Sequence, residues 1–372
     1  MKDIKVIFMG TPEFAVPVLE GLIENTNVIM VVTQPDKEVG RHHELQATPI
    51  KKVALEHNIP VYQPIKVIFM GTPDFAVPIL KGLIENTNVI MVVTQPDKLV
   101  GRHHELQAPP IKQVALEHNI PVYQPQKVRR EFEPIVNAGA DIIITCAYGQ
   151  IIPEEILNAP RLGCINVHAS LLPKLRGGAP IHHAIIDGEE KTGITIMYMD
   201  KNMDTGDMIA KSECYINYND NVGTLHDKLS IMGKELLLET LPSIINGTNE
   251  RIKQNDEESS YAWNIQREEE HITYNKTAKE VYNQIRGLYP WPTAYTIINE
   301  VEVKVLEAVI GENDSKLSPG VICEINKDSI GICTKDKVIY LTKVKPFGKK
   351  AMDAKDYVNG LNKEKVLHTI AE

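Results

Sequence analysis

The densest group of side chains able to do chemistry lies in residues 163–181, which read GCINVHASLLPKLRGGAPI. Asn166 and His168 alternate along a predicted strand end, so their side chains point to the same face. An imidazole can take a proton from an attacking nitrogen, and a carboxamide can donate a hydrogen bond to a developing oxyanion. The pair therefore suits transfer of an acyl group to an amine, a reaction that needs no serine or cysteine nucleophile.

A carboxylate is needed to orient the imidazole, and the best candidate is Asp204, in the loop MDTGD between two predicted strands. Each of these residues also has a plain structural explanation. A single histidine is more often structural than catalytic, and an aspartate commonly caps a turn. The individual signals are weak, and their specificity comes from the string of motifs around them.

Six motifs in order along the chain resemble the N10-formyltetrahydrofolate-dependent formyltransferases. They are GTPDFAVP at 71–78, VVTQPDK at 92–98, AYGQIIP at 147–153, GCINVHASLLPKLRGGAPI at 163–181, TGITIMYMDKNMDTGD at 192–207 and IRGLYPWPTAY at 285–295. The resemblance covers nearly all of residues 65–372. It implies an enzyme, a one-carbon formyl transferase, that uses N10-formyltetrahydrofolate as cosubstrate and no metal.

The resemblance also implies roles for particular residues. His168 would assist proton transfer from the attacking amine, Asn166 would hydrogen-bond the formyl oxygen, and Asp204 would orient His168 and help to position the folate. The folate-binding stretch of the family corresponds to four consecutive residues, Ser170, Leu171, Leu172 and Pro173.

The C-terminal part of the chain points to the acceptor. The YPWP turn, a predicted small barrel and the ending VKPFGKKAMDAKDYVNG resemble the family members that formylate methionyl-initiator tRNA and so support translation initiation. Residues 335–365 contain nine lysines against four acidic side chains, a composition that can contact phosphates or simply be a solvated surface. The expected tRNA-binding residues are Arg102, Lys345, Lys349 and Lys350.

The loop at 99–109 departs from the family pattern. Arg102 matches a usually basic loop, but His103, His104 and Glu105 stand where further basic residues are expected. Discrimination of the initiator tRNA is therefore predicted to be weaker or arranged differently.

Other functions stay open on sequence alone. The same chemistry could act on an amino-sugar nucleotide or on glycinamide ribonucleotide, although the C-terminal lysines argue against both. A non-catalytic tRNA-binding protein is the alternative from another class. A nicotinamide-dependent dehydrogenase is disfavoured, because the first strand leads into Gly71-Thr-Pro and not into a GxGxxG turn.

The elements that must position these residues begin with a repeat. Residues 4–64 and 65–125 are near copies that differ at six aligned positions, which we interpret as a recent tandem duplication or an assembly artefact. The second copy is predicted to lie in the fold, because it runs directly into the next helix and strand. The first copy could displace it, dock elsewhere, exchange between chains or stay partly unfolded.

Alternating strand and helix patterns predict an α/β fold with a doubly wound, mostly parallel, Rossmann-like sheet. Ligands are expected at the carboxyl ends of its strands, near Gly71, His168 and Asp204. Five short strands further on indicate a small, OB-like C-terminal β-barrel. The predicted domains are a repeated βαβα segment at 1–64, a catalytic domain at 65–248, a linker at 249–270 and a tRNA-binding barrel at 271–372.

Composition sets the remaining expectations. The 372 residues are 43% hydrophobic and contain no apolar run long enough for a membrane helix. A net charge of −9 argues mildly against nucleic acid, although the basic C-terminal end softens this. Five scattered cysteines without a CxxC pair are typical of reduced thiols in the cytoplasm. We expect a cytoplasmic monomer without a signal peptide or a membrane partner.

Overall fold

The structure, a computed structural model, describes residues 3–34, 37–39, 44–100 and 105–372. Its strands are β1 Lys5–Met9, β2 Asn27–Val32, β3 Lys37–Val39, β4 Glu44–Gln46, β5 Val61–Tyr62, β6 Lys66–Gly71, β7 Asn88–Val93, β8 Lys98–Val100, β9 Glu105–Gln107, β10 Val122–Tyr123, β11 Ile142–Cys146, β12 Cys164–His168, β13 Lys191–Tyr198, β14 Met208–Tyr215, β15 Tyr295–Ile298, β16 Val301–Asp314, β17 Ile322–Ile325, β18 Ile330–Cys333, β19 Lys337–Pro346 and β20 Met352–Asp353. Its α-helices are α1 Val16–Asn25, α2 Pro49–Glu56, α3 Val77–Asn86, α4 Pro110–Glu117, α5 Glu133–Val136, α6 Glu154–Leu157, α7 Pro180–Ile186, α8 Val222–Asn246, α9 Arg267–Glu270, α10 Ala278–Gly287, α11 Ala354–Asn359 and α12 Lys363–Val366.

Seven strands form the central sheet, in the order β10-β7-β6-β11-β12-β13-β14. The pairs from β10 to β12 are parallel, and the pairs β12–β13 and β13–β14 are antiparallel. The predicted mostly parallel sheet is therefore confirmed, with an antiparallel edge. The apolar runs KVIFMG and IIITC lie at its centre, where both faces of a strand are covered.

Side chains of the central strands alternate between two packed layers. Phe69 faces the layer that contains the buried stripe of helix α8, including Leu229 and Leu237. Ile68 and Met70 face the opposite layer. Two covered faces hold the carboxyl ends of β6, β11 and β12 rigidly beside one another, and these ends form the edge at which the candidate site lies.

The two copies of the repeated sequence fold alike but lie in different sheets. The second copy supplies β6, β7 and β10 to the central sheet, as predicted. The first forms a separate three-stranded sheet, β1-β2-β5, over a small core that includes Leu19, Val31 and Ile50. Among the described residues, β1 pairs with β2 alone, so its other edge is uncovered.

The C-terminal part is an antiparallel sheet in the order β15-β16-β19-β18-β17, with β20 paired to β19. Strand β16 has 14 residues, and its register against β19 shifts three times, which bends the sheet into a half-barrel. Helix α10 begins with a capping box of Thr277 and Glu280 and packs Val281 and Ile285 into the core of this sheet. The predicted OB-like architecture is confirmed.

Residues 249–270 are predicted to be a linker, but in the structure they pair with residues of the catalytic domain. Ile252 pairs with Met208 and Tyr261 with Arg176 as isolated bridges, so this stretch is held at two points. The domain boundaries themselves stay a prediction. Within the described part of the chain, no helix has the length and apolar run that crossing a membrane requires.

Candidate active site

His168 is the last residue of β12, and it is only 5% exposed. Its Nε2 atom lies 3.0 Å from the carbonyl oxygen of Leu175. A carbonyl oxygen only accepts, so Nε2 carries a proton, and Nδ1 is the acceptor whenever the ring is neutral. Nδ1 lies 3.7 Å from Oδ2 of Asp204, beyond hydrogen-bond distance. Leu175 therefore orients the ring, and Asp204 faces it as a nearby charge.

Asn166 lies two residues earlier on the same strand, and a side chain of the neighbouring strand β11 orients its amide group. The Thr145 hydroxyl donates to its Oδ1 at 2.8 Å, because parallel pairing sets Thr145 beside Asn166. The Nδ2 group is left as the donor, 3.4 Å from Oδ1 of Asp204. The sequence offers no motif that would have singled out Thr145.

Asp204 lies in a loop that is held from several sides. Its backbone is in the left-handed region, with φ of 55°, and its Oδ2 accepts from the backbone N–H of Gly177 at 2.9 Å. The Nε2 group of Gln254 donates to the carbonyl oxygens of Asp204 and Gly206, both at 2.8 Å. A Cβ added at Gly206 would lie 1.9 Å from the carbonyl oxygen of Tyr198, so only glycine fits there.

The loop that follows β12 is fixed to the antiparallel edge of the sheet. The buried Thr195 hydroxyl donates to the carbonyl oxygen of Ser170 at 2.7 Å and accepts from the backbone N–H of Leu172 at 3.2 Å. The Lys211 ammonium donates to the carbonyl oxygen of Leu172, and burial lowers the pKa of this ammonium. The loop is thus held rigidly by Thr195, which lies within the motif at 192–207, and by Lys211, which lies outside the quoted motifs.

The predicted folate-binding residues all lie in this loop. Ser170 is fully buried, and its hydroxyl donates at 2.7 Å to the carbonyl oxygen four residues later. Leu172 is fully buried in a small apolar cluster. Leu171 and Pro173 are half-buried. Two of the four residues therefore shape the loop, and two border its surface.

Arg176 connects the loop to residues 254–256. It is 2% exposed, and it donates through Nε to Oε1 of Gln254 at 3.0 Å and through Nη2 to Asp256 at 2.8 Å. Burial alone would lower the pKa of Arg176, but hydrogen bonds to Asp256 and Tyr261 raise it above its ordinary value. Gln254 thus binds both the Asp204 loop and Arg176. No sequence motif marks Gln254, because it lies in a polar stretch interpreted as a linker.

The predicted tRNA-binding lysines lie together at one end of a hairpin in the C-terminal sheet. Lys345 is exposed on β19, and Lys349 and Lys350 are exposed between β19 and β20. Phe347, between them, is 80% exposed. Within the described residues, no hydrogen bond or ion pair joins this group to the residues around His168. Arg102, the fourth predicted residue, lies outside the described residues.

An imidazole, an oriented amide and a carboxylate meet at the carboxyl edge of a Rossmann-like sheet. Nothing in the described ranges groups three or more His, Cys, Asp or Glu side chains so as to hold a metal ion. Fold and site together define an enzyme that transfers an acyl group to an amine.

The family follows from the matched models. Residues 63–241 match the formyl transferase model, and residues 264–362 match the model of the formyl transferase C-terminal domain. The chain belongs to the formyl transferase family.

Individual relatives agree with this assignment. The methionyl-tRNA formyltransferase of Staphylococcus epidermidis is 53% identical over 304 residues, which are 81% of this chain and 98% of the relative. The methionyl-tRNA formyltransferase of Staphylococcus aureus is 51% identical over 298 residues, 79% of this chain and 96% of the relative.

Solved structures share the fold at lower identity. WlaRD, a sugar 3N-formyl transferase, has a TM-score of 0.60 at 24% identity and covers 77% of this chain and 99% of its own. The N-formyltransferase from Helicobacter canadensis has a TM-score of 0.58 at 24% identity, covering 74% of this chain and 98% of its own.

The matched region also corrects one interpretation. The formyl transferase model begins at residue 63, so nearly all of the first copy lies outside it. A tandem duplication is not borne out by these comparisons, and the repeat stands as two copies of one sequence.

Proposed function

We propose that the enzyme transfers a formyl group from N10-formyltetrahydrofolate to the α-amino group of methionyl-initiator tRNA, in support of translation initiation. The proposal rests on 53% identity to a methionyl-tRNA formyltransferase over 98% of that relative's length. The observation that carries the chemistry is the convergence of Asn166 and His168 on the carboxylate of Asp204. This arrangement argues against a non-catalytic tRNA-binding protein.

Three side chains divide the work of the transfer. The amine nitrogen forms a bond to the formyl carbon, and the bond from that carbon to the folate nitrogen breaks. Asn166 donates a hydrogen bond to the formyl oxygen as negative charge develops there. His168 takes the proton from the amine through its free Nδ1 and passes it to the departing nitrogen. Asp204, 3.7 Å away, stabilises the positive charge on the imidazole between these two proton transfers.

The folate cosubstrate supplies the formyl group, and no metal takes part. Ser170, Leu171, Leu172 and Pro173 are the proposed folate-binding residues. Their backbone is fixed by Thr195, and a rigid loop of this kind suits a preformed small-molecule site.

The C-terminal half-barrel is proposed to hold the tRNA. Lys345, Lys349 and Lys350 are exposed, so they can contact phosphates, which fix orientation without reading sequence. Arg102 is proposed to contact the acceptor arm. We retain the boundaries at 64/65, 248/249 and 270/271 as a proposed division, and propose that the enzyme acts as a monomer in the cytoplasm.

The test is formyl transfer by the full chain, measured with N10-formyltetrahydrofolate and four acceptors. These are methionyl-initiator tRNA, methionyl-elongator tRNA, an amino-sugar nucleotide and glycinamide ribonucleotide, with His168→Ala as the background control. We expect transfer to the initiator tRNA and background rates with both nucleotides. Faster transfer to either nucleotide would overturn the acceptor, and background rates with all four would overturn the proposed chemistry.

A further inference from the structure

Two aromatic rings lie exposed beside the catalytic loop. Tyr261 and Trp263 stack with ring centroids 5.2 Å apart and an angle of 6° between the ring planes. They are 44% and 59% exposed, whereas Ala262 between them is fully buried. Because side chains alternate along an extended segment, both rings lie on the outer face while Ala262 anchors the segment beneath.

The segment that carries these rings is hydrogen-bonded to residues 176–179, the part of the loop after β12 that contacts Asp204. The N–H of Ala262 donates to the carbonyl oxygen of Arg176 at 2.7 Å, and its own carbonyl accepts from Ala179 at 3.0 Å. Between these contacts, the N–H of Gly177 donates to the Asp204 carboxylate. A Cβ on Gly177 would lie 2.7 Å from the carbonyl oxygen of Ala262, so the two segments are in close contact. The aromatic pair therefore has a fixed position next to the site of formyl transfer.

We propose that Trp263, backed by Tyr261, is a stacking platform for a base of the single-stranded acceptor end of the tRNA. The proposal rests on the proposed function, because the aminoacylated end must reach His168. A flat, exposed and preformed aromatic face suits a base of a single strand, which stacks irrespective of its sequence. The pterin ring of folate is a poorer fit, because small ligands are usually buried over most of their surface.

The test compares Trp263→Ala with Trp263→Phe, using Trp291→Phe as a control for an exposed tryptophan elsewhere. We expect Trp263→Ala to raise the KM for methionyl-initiator tRNA by about tenfold or more. Trp263→Phe should restore most of the affinity, and the KM for N10-formyltetrahydrofolate should not change. A tRNA KM within about twofold of the parent would overturn the platform, and a rise only in the folate KM would reassign the rings to the folate site.

Binding of a tRNA that lacks its 3′-terminal single strand separates this inference from the proposed function. Affinity for this shortened tRNA should be equal in the parent and in Trp263→Ala, because the stacking partner is absent. A loss of affinity that persists with the shortened tRNA would contradict the platform. Transfer to methionyl-initiator tRNA by the parent tests the proposed function by itself.

A second, independent inference comes from the repeat. The same residue types are buried in the second copy and exposed in the first: Phe75 is 5% exposed but Phe14 is 89%, and Met70 is 0% but Met9 is 74%. In the second copy, β11 covers the edge of β6, and helix α8 packs on α3. The first copy therefore leaves exposed the surface that, in the second copy, packs against β11 and α8.

The six differences between the copies are compatible with one position in the sheet. In the second copy, Asp74, Lys81, Leu99 and Gln113 are exposed, so changes there cost little. Val18 replaces the buried Ile79 and loses one methylene, a small change. Thr48 replaces Pro109 and caps α2 by accepting from the N–H of Lys51 at 3.2 Å.

We infer that the first copy can take the place of the second beside β11 and α8. The intact chain favours the second copy, because the exchange would turn 61 residues between Pro64 and Gln126 into an internal loop whose closure costs entropy. Damage to the second copy removes this preference. The first copy can then supply the strands that the second copy otherwise contributes to the central sheet.

Three full-length variants test the exchange: Phe69→Asp in the second copy, Phe8→Asp at the equivalent position of the first, and both together. Formyl transfer and protection of the buried Cys146, which lies on β11 beside Gly71, are measured in each. We expect Phe69→Asp to retain transfer and protection of Cys146 from thiol reagents, and the double variant to lose both. If Phe69→Asp behaves like the double variant, the exchange is overturned. Protection of Cys146 is measured without any acceptor, so this readout does not depend on the proposed function.

Discussion

The Nε2–H group of His168 donates to the carbonyl oxygen of Leu175 at 3.0 Å, and this backbone contact orients the imidazole. Leu175 has φ of 57°, in the left-handed region that a leucine seldom adopts. The backbone at Leu175 therefore adopts an unfavourable conformation, and this conformation directs the Leu175 carbonyl oxygen toward the imidazole. Asp204 is left to act through its charge, since its nearest oxygen lies 3.7 Å from Nδ1.

Replacing His168 by alanine removes the group proposed to carry the proton. We expect kcat to fall by about 10²- to 10⁴-fold. The protein should stay folded, because the imidazole makes a single hydrogen bond. Steady-state kinetics and thermal unfolding check both parts, and a variant within about threefold of the parent kcat would remove His168 from the mechanism.

Asp204→Asn removes the charge of this residue at nearly constant shape, and it also replaces the Oδ1 acceptor that faces Asn166 with an NH2 group. The amide oxygen can still accept from the N–H of Gly177, so the loop should keep its conformation. Loss of the negative charge beside the imidazolium should lower kcat by about 10- to 100-fold. The ratio of kcat between variant and parent, taken with an unfolding curve, measures this. An unchanged kcat would show that the carboxylate has no electrostatic role.

Gln254→Ala should test the support of the Asp204 loop. The change removes two hydrogen bonds to backbone carbonyls and one from Arg176, and leaves Arg176 buried with one carboxylate partner. We expect a loss of roughly 1–3 kcal/mol in the free energy of unfolding, together with reduced kcat. Glu257→Ala, an exposed neighbour, is the matched control and should be neutral. Equal behaviour of the two variants would contradict the supporting role.

Replacing Lys345, Lys349 and Lys350 together by alanine should weaken tRNA binding with little change in kcat at saturation. Removing three phosphate contacts should reduce the slope of log affinity against log salt by about 2 to 3. Two exposed lysines in other loops of the same domain, Lys316 after β16 and Lys327 between β17 and β18, form the control double variant. An unaltered slope would mean that the hairpin end is only a solvated surface.

Asp336 gives a stability prediction that depends on pH. Asp336 is exposed, and the partial desolvation of its carboxylate would raise its pKa, but hydrogen bonds from the N–H groups of Ala278 and Lys337 and from the Thr334 hydroxyl outweigh this and lower the pKa. A lowered pKa in the folded state gives stability that is present above the ordinary value of about 3.9 and is lost as pH falls through the folded value.

Asp336→Ala should therefore destabilise the protein by roughly 1 kcal/mol near neutral pH, the usual contribution of one capping side chain. The difference from the parent should shrink as the pH falls below about 4. Chemical unfolding at several pH values checks this, with the exposed Asp328→Ala as control. A difference that grows with acidity would contradict the assignment.

Local signals predicted much of the fold. Helix α10 begins where Thr277 and Glu280 form a capping box, a signal that lies within four residues of sequence. Asn166 and His168 share a face because strand side chains alternate, and Asp204 meets them because loops at one edge of the sheet converge. These relationships depend on patterns only a few residues long, or on the general rule for parallel sheets.

The missed features depend on backbone groups and distant contacts. The Leu175 carbonyl has no side-chain signature, and Gln254 reaches the Asp204 loop across 50 positions of sequence. Residues 249–270 resemble a linker because their apolar content is low. Composition indicates which side chains will be buried, but it does not indicate which backbone groups will form hydrogen bonds. The separate folding of the first copy could not be read from two nearly identical sequences either, because their six differences are all compatible with the same fold.

The pairing of residues 254–262 with the catalytic loop has a consequence for synthesis on the ribosome. Asn166, His168 and Asp204 all emerge before helix α8, whereas Gln254 and Ala262, which fix their loop, emerge after it. Chains fold as they are made, from the N-terminus onward. A nascent chain that has just completed the seven-stranded sheet therefore carries all three proposed catalytic residues but lacks the residues that support them. We therefore expect the site to reach its supported form only after residues 254–262 have been made.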